Sequence, residues 1–429
     1  MSQVASMKPD TPEAQAPPAS AAPPVDRSAL LAELKAELKA ELRQELVHEV
    51  VGEIIGTLQE RFLGGRTEQV AGTMRGDVAT EPDKPAAPPV AEPARYAADK
   101  LAAITAFEVP KEQFVETIQR VTLGATKENG GTRGRTVRLG GQNCLPFHFF
   151  EGHTPNLPVL AIEVFDTVGV KCSPVLREAW GELLERPAEM ARKAVTEYGA
   201  EMISVRLEGT HPEKGNKNPD EALELVQSVL AAVDVPIIVT AHNHYESANE
   251  VMKKVAAGCA GERLLLNWVE NDNYRTIAGV ALAYGHCVVA QSPIDVNLAK
   301  QLNILLTNMD LPRDRIVMDP MTGALGYGLE YCYSVMERIR MTALAGDDGL
   351  TFPMIVSVGQ EAWKAKEANA PESAFPAWGD LARRAVLWEV QTAMPLILSG
   401  ADIVILYHPD SLAAIRRNVD KLSAHSQPV

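Results

Sequence analysis

From about residue 158 to 425, short apolar runs alternate with amphipathic stretches. Eight of the runs are rich in Val, Ile and Leu, and most end in turn residues. They are PVLAIEVFD near 158, MISVRLEG near 202, VPIIVTAHN near 235, RLLLNWVEN near 263, HCVVAQSPID near 286, RIVMDPMTG near 315, FPMIVSVGQ near 352 and DIVILYHPD near 402. Continuous apolar runs suit strands of a parallel sheet buried on both faces. Between them, segments such as DEALELVQSVLAAV, NLAKQLNILLTNM and YSVMERIRMTAL carry the helical period. Two runs are entered by the same turn, YGAEMISV and SGADIVIL, where Gly199 and Gly400 can adopt the left-handed conformation that ends a helix. Eight such units predict a closed (β/α)8 barrel, a TIM barrel of α/β class, over residues 158–425.

Residues 95–157 precede the first barrel strand. Thr122 to Thr126 and Arg135 to Leu139 could pair as a hairpin around Asn129-Gly130-Gly131. Pro146-Phe147-His148-Phe149-Phe150 could then plug the barrel bottom. Arg133 and Arg135 suggest a phosphate site at first sight, but solvated arginines on a plain hairpin are the simpler expectation. Further upstream, Pro- and Ala-rich residues 1–27 cannot bury enough apolar surface to offset chain entropy and read as disordered. In residues 28–63, Leu34, Leu38, Leu42 and Leu46 recur at every fourth position, which predicts an exposed amphipathic helix. Its apolar stripe suits either self-association or docking on another protein. Residues 64–94 read as a linker.

Composition narrows the function. The 56 acids against 41 bases leave a net charge of −15, which argues against nucleic-acid binding. The start of the chain has neither a basic head nor an apolar heart, so it does not read as a secretory signal, and no apolar run reaches membrane-spanning length. Cys144, Cys172, Cys259, Cys287 and Cys332 are scattered, without any C-x-x-C pair. They read as reduced thiols in a reducing cytoplasm, with no iron–sulfur or zinc spacing.

In a barrel, ligands bind where the strands end. Those ends carry Glu208 to His211, His242-Asn243-His244, Asn267 with Glu270-Asn271-Asp272-Asn273, Gln291 to Asp295, Asp319, Gln360-Glu361 and His408. Such a rim is rich in amides and carboxylates and suits neutral, hydrogen-bonding ligands. His242 and His244 could share a metal ion with Asp319 or His408, although an ordinary polar turn is the simpler reading. After Asp319, the stretch DPMTGALGYGLEY removes side chains at Gly323, Gly326 and Gly328, so a flat ligand could approach the backbone beside Tyr327 and Tyr331.

LGATKENGGTR, LPFHFFEG, QSPIDVNLAKQLNILL, DPMTGALGYGLEYCYSVMERIR and EAWKAKEANAP run from about residue 118 to 422. On these segments the chain resembles the small (delta) subunit of the corrinoid iron–sulfur protein. That protein belongs to the CO dehydrogenase/acetyl-CoA synthase system, also called acetyl-CoA decarbonylase/synthase. The resemblance implies a barrel paired with a large (gamma) subunit that holds a [4Fe–4S] cluster and most of the cobalamin site. The corrin would lie between that subunit and the barrel top. It would carry a methyl group from a methyl-tetrahydropterin donor and its methyltransferase to acetyl-CoA synthase, as in the Wood–Ljungdahl pathway. The missing cysteine cluster and the missing D-x-H-x-x-G corrinoid motif fit that division. Corrin contacts are then expected from Asp319, Thr322, Gly323, Gly326 and Tyr327, and from Asn271, Gln291, Gln360 and Glu361. No catalytic group and no protein-held metal are expected.

The same D-P-x-x-G-x-x-G-[FY]-G stretch is also similar to pterin-binding barrels such as dihydropteroate synthase and methyltetrahydrofolate methyltransferases. On that reading Asn243, Asn267 and Asp319 would hold a pterin, and the chain would be a methyltransferase itself. Leu329, where dihydropteroate synthases carry a basic residue, departs from that pattern.

Overall fold

A computed structural model describes residues 110–167 and 172–425. The readings of residues 1–27, 28–63 and 64–94 lie outside the described residues. The described chain opens with an antiparallel pair, β1 (Val121–Leu123) and β2 (Val137–Leu139), in which Thr122 faces Arg138. Eight strands follow, namely β3 (Val159–Phe165), β4 (Met202–Arg206), β5 (Ile237–Thr240), β6 (Leu265–Val269), β7 (Cys287–Gln291), β8 (Ile316–Asp319), β9 (Met354–Val356) and β10 (Ala401–Leu406). All pair in parallel, and β10 closes on β3 through Ile403 opposite Val159. The predicted barrel is therefore present, strand for strand.

Helices α1 (Pro174–Trp180) and α2 (Pro187–Thr196) follow β3. Then come α3 (Pro219–Ala232), α4 (Tyr245–Gly258), α5 (Tyr274–Tyr284), α6 (Val296–Thr307) and α7 (Leu329–Leu344), one after each of the next five strands. Short α8 (Val358–Ala362) and long α9 (Leu381–Leu398) follow β9, and α10 (Pro409–His425) ends the described chain. Local chemistry sets the starts. Asn218 accepts from the Asp220 and Glu221 amides while Glu221 reaches back to the Asn218 amide, and Pro219 pre-sets the first turn of α3. Gly199 and Gly400 do take positive φ, 72° and 106°, on entry to β4 and β10.

Two separate clusters divide each strand's side chains. Leu160, Ile162, Val164, Ile203 and Val205 pack outward with the helices. Val159, Ala161, Met202, Ile238, Leu265, Cys287, Val289, Val317, Ile355, Ile403 and Ile405 pack inside the barrel. The hairpin joins this inner cluster through Val121, Leu123 and Leu139, all fully buried. The bottom is thus plugged by β1 and β2. Pro146 to Phe150 lies elsewhere. Phe147 packs with the outer cluster, edge-on to Phe149 at 6.3 Å, beside the starts of β3 and β10. A two-stranded pair offers alternate aliphatic side chains to one face, which fit a narrow barrel, whereas aromatic rings fit the wider gap outside.

The hairpin pairs less than its sequence suggests, because a turn at Lys127–Asn129 interrupts it. There Arg133 leaves solvent entirely. Its guanidinium bonds Glu262 at 3.0 Å and donates to the Leu230 and Val233 carbonyls at 2.8 and 2.6 Å. It therefore caps the C-terminal end of α3, where free carbonyls attract a cation. The expected solvated pair is corrected to one buried arginine and one exposed Arg135.

Candidate functional site: the barrel mouth

Alternation along the strands carries the inner face upward, and there it changes from aliphatic to polar. Two positions beyond Ala161 is Glu163, and beyond Met202 come Ser204 and Arg206. Thr240, Asn267, Gln291, Asp319 and Tyr407 complete the layer. Glu163 is fully buried and accepts from Ser204 Oγ at 2.7 Å, from Tyr407 Oη at 3.0 Å and from the Arg206 guanidinium. Arg206 Nη2 also donates to Gln360 Oε1 at 2.6 Å. Burial works against the Arg206 charge, but Glu163 and Tyr407 more than offset it and raise its pKa. Thr240 Oγ1 links Ser204 Oγ and Asn267 Nδ2, at 3.2 Å each. One buried oxygen of this layer, Asn267 Oδ1, has no partner, and neither does Ser292 Oγ in the hollow beside α6.

On the β8 side, Gln291 Nε2 donates to Asp319 Oδ2 at 2.9 Å, and the Met321 amide donates to Asp319 Oδ1 at 2.8 Å. Burial dominates these bonds and pushes the Asp319 carboxyl up to about 6. Thr322 Oγ1 accepts from the Ser357 amide at 3.1 Å, tying the loops after β8 and β9 together. Gly323 and Gly326 serve the loop itself. A Cβ on Gly323 would come within 2.8 Å of the Gly328 backbone, and Gly326 sits at φ 73°. The Gly323 amide donates to Cys332 Sγ at 2.9 Å. Tyr327 is exposed, with its hydroxyl bonded to Glu367 at 3.1 Å. Asn271, Asp272, Gln291, Ser292 and Leu298 line a hollow of about 380 Å³. Glu361 points into an ion pair with Lys364 at 2.7 Å.

The mouth thus bonds Gln291 to Asp319, ties Thr322 to the Ser357 amide, sets Gln360 on Arg206 and leaves Asn271 and Tyr327 on the rim. Asn267 and Asp319 are buried, whereas Asn243 is exposed. His242, His244 and His211 do come together, with ring centres 5.0–6.4 Å apart. Yet His244 caps α4 by accepting from the Ser247 amide, and His242 Nδ1 accepts from the His244 amide. Among the described residues no group of three or more His, Cys, Asp or Glu is placed to hold a metal ion. Burial and the neighbouring His211 lower the His242 pKa to about 4, so the ring is neutral at pH 7.

The profile of the CO dehydrogenase/acetyl-CoA synthase delta subunit matches residues 120–416. The delta subunit of the acetyl-CoA decarbonylase/synthase complex of Archaeoglobus fulgidus is 40% identical over 343 residues, covering 78% of this chain and 75% of that one. Delta subunit 1 of Methanosarcina thermophila is 39% identical over 354 residues, covering 80% of each. The chain belongs to this delta-subunit family. Among solved structures, a dihydropteroate synthase of Coxiella burnetii covers 72% of this chain at 12% identity and a TM-score of 0.46, too distant to speak for function.

For this delta subunit of the acetyl-CoA decarbonylase/synthase complex, no described helix is long and apolar enough to cross a membrane. Inspection of strand ends alone misses Glu163, Arg206 and Tyr407, which build the mouth's floor. A signal for the first two is present in the runs themselves, since AIEVF and ISVRL each carry one charge inside an apolar strand.

Asp319 sets a pH dependence. Its folded pKa of about 6 lies above the unfolded carboxyl value, so its contribution is fully present below about pH 4 and is lost as pH rises through 6. His242 acts in the opposite sense, because its lowered pKa adds stability as pH rises toward 6.5. The Asp319→Asn variant isolates the first effect. Relative to wild type it should gain about 3 kcal/mol between pH 4 and 7.5 in urea denaturation. A difference that stays constant with pH would place the Asp319 carboxyl in the ordinary range.

Proposed function

We propose that the barrel mouth of this delta subunit covers a cobalamin held mainly by the large, gamma subunit of the corrinoid iron–sulfur protein, in the cytoplasm. Methyl groups would pass between a methyl-tetrahydropterin and its methyltransferase on one side and acetyl-CoA synthase on the other. One observation carries the reading. Unpartnered, buried Asn267 Oδ1 lies in the inner layer under a mouth bordered by Asn271, Gln291 and Gln360 and by exposed apolar side chains. A corrin offers the complementary chemistry, an apolar ring face with amide groups around its edge. The amides of Gln291 and Gln360 and the backbone at Gly323 would bond that edge, and Tyr327 would cover ring surface. When bound, cobalamin supplies the cobalt that carries the methyl group.

The chain's own residues exclude water and hold the edge. The floor acids are already engaged, Glu163 by Ser204, Arg206 and Tyr407, and Asp319 by Gln291 and the Met321 amide, which favours a covering role over proton transfer. A cover protects a reduced metal centre by removing solvent. The test compares the large subunit alone with the co-expressed pair, scored by cobalamin content and by the rate at which air oxidises the reduced corrin. The pair should oxidise several-fold more slowly, and Asn267→Leu with Tyr327→Ala should restore most of the rate. Equal rates with and without this chain would end the covering role.

A further inference from the structure

Among the described residues, six other than glycine hold positive φ: Phe147, Asn216, Arg263, Ile294, Asp310 and Met321. Asn and Asp tolerate that region. Phe147 is buried in the core, and Arg263 is bonded to the Thr122 carbonyl and to Asp314. Ile294 and Met321 differ. Each remains 38% exposed, at φ 49° and 64°, so burial within the chain offsets the strain only in part. A β-branched residue is the least suited of all to this conformation.

The two residues sit in neighbouring loops. The Ser292 amide donates to the Asp319 carbonyl at 2.9 Å, and the Ile294 amide to the Pro320 carbonyl at 3.3 Å. Asp319 Oδ1 holds the Met321 amide, and Asp295 caps α6 directly after Ile294, accepting from the Asn297 and Leu298 amides. The backbone is therefore held from both sides in a shape that leaves two apolar side chains partly in solvent. Leu298, Tyr327 and Tyr331 are exposed in the same two loop-and-helix units. Acids accompany them: Glu270 and Asp272 at the hollow, Asp295 beside Ile294, and Glu330 beside Tyr331. The nearby lysines are already paired, Lys300 with Asp347 and Lys364 with Glu361.

We infer that Ile294 and Met321 are docking residues, held in strained backbone so that the corrinoid-bearing large subunit buries them. The partner's face carries an apolar centre and a rim of Lys or Arg that meets the surrounding carboxylates. The inference rests on the mouth being the covered face and adds which residues make the contact and with what chemistry. Strain that the fold compensates only in part is offset further on docking, so stability and affinity are set against each other at these two positions.

The experiment uses Ile294→Gly, Met321→Gly and the double variant of the full chain, each co-expressed with the corrinoid-bearing large subunit. Glycine keeps the backbone shape and removes both strain and side chain. Each isolated variant should melt at or a few degrees above wild type. Each should bind the large subunit at least tenfold more weakly, and Asp272→Lys should weaken binding as well. Wild-type binding should fall as KCl is raised from 50 to 300 mM. A lowered melting temperature with full affinity would make these two side chains ordinary packing groups and overturn the inference. Unchanged affinity would do the same while leaving the covering role intact if wild type still slows corrin oxidation. Absence of wild-type binding and of protection together would instead remove the covering role on which it rests.

Discussion

Glu163→Ala is expected to destabilise the barrel by about 3–5 kcal/mol, the loss typical of stripping one partner from a buried ion pair. The carboxylate is fully buried and holds Arg206, Ser204 and Tyr407 at once. Without it the Arg206 guanidinium remains inside the mouth with Gln360 as its neutral partner, and two hydroxyls lose their acceptor. Arg206→Met should cost a similar amount, because it strands the Glu163 charge in the same low-dielectric floor. Glu163→Ala combined with Arg206→Met should cost far less than the sum of the single changes, since no unpaired charge is left. Urea denaturation of the four proteins measures that coupling. Single losses under about 1 kcal/mol, or simple additivity, would mean that the pair is solvated rather than buried. The gain from such a pair lies in placement. It fixes Gln360 and Tyr407 at the mouth, and Gly359 leaves room for the Tyr407 ring, which any Cβ there would meet at 2.2 Å.

Leu123→Ala should cost about 2–5 kcal/mol, the range for a large-to-small change at a fully buried aliphatic site. Leu123 fills the barrel bottom with Val121 and Leu139 against Met202, Leu265 and Cys287. The closed strands cannot collapse into the space left, so the cavity persists and the cost falls in the upper part of that range. Phe150→Ala, in the segment whose aromatics fit a plug on paper, should change stability by under about 1 kcal/mol, because Phe150 is exposed and only stacks on His148 at 5.3 Å. Equal losses from the two changes would return the plug to the aromatic segment.

Both predictions turn on which side of a strand a residue faces, and this is where reading along the chain stops. A parallel strand buried on both faces is apolar throughout. AIEVF announces a strand, but it does not say whether Glu163 meets the helices or the barrel axis. Nor does it say that the residue waiting opposite is Arg206. The same limit applies to Arg133, whose role depends on the end of α3 lying against the hairpin. It applies to the plug as well, since both the hairpin and the aromatic segment are apolar enough to fill a barrel, and only the width of the opening selects between them.

Sequence alone was enough for the eight strands and their intervening helices, because hydrophobic period and glycine turns are local properties of the chain. It was enough for the family too, through segments that run the length of the barrel. It also placed Gln291 and Asp319 at neighbouring strand ends, where the Gln291 amide bonds the Asp319 carboxylate. Closure of the barrel decided the rest. Curling eight strands into a ring brings residues some 43 positions apart, such as Glu163 and Arg206, into one dry layer. It also sets the loops after β7 and β8 side by side, where bonds between them hold Ile294 and Met321 in backbone shapes that no local preference would choose. Such contacts follow from the geometry of the ring as a whole, and no stretch of chain short enough to show a pattern contains that geometry.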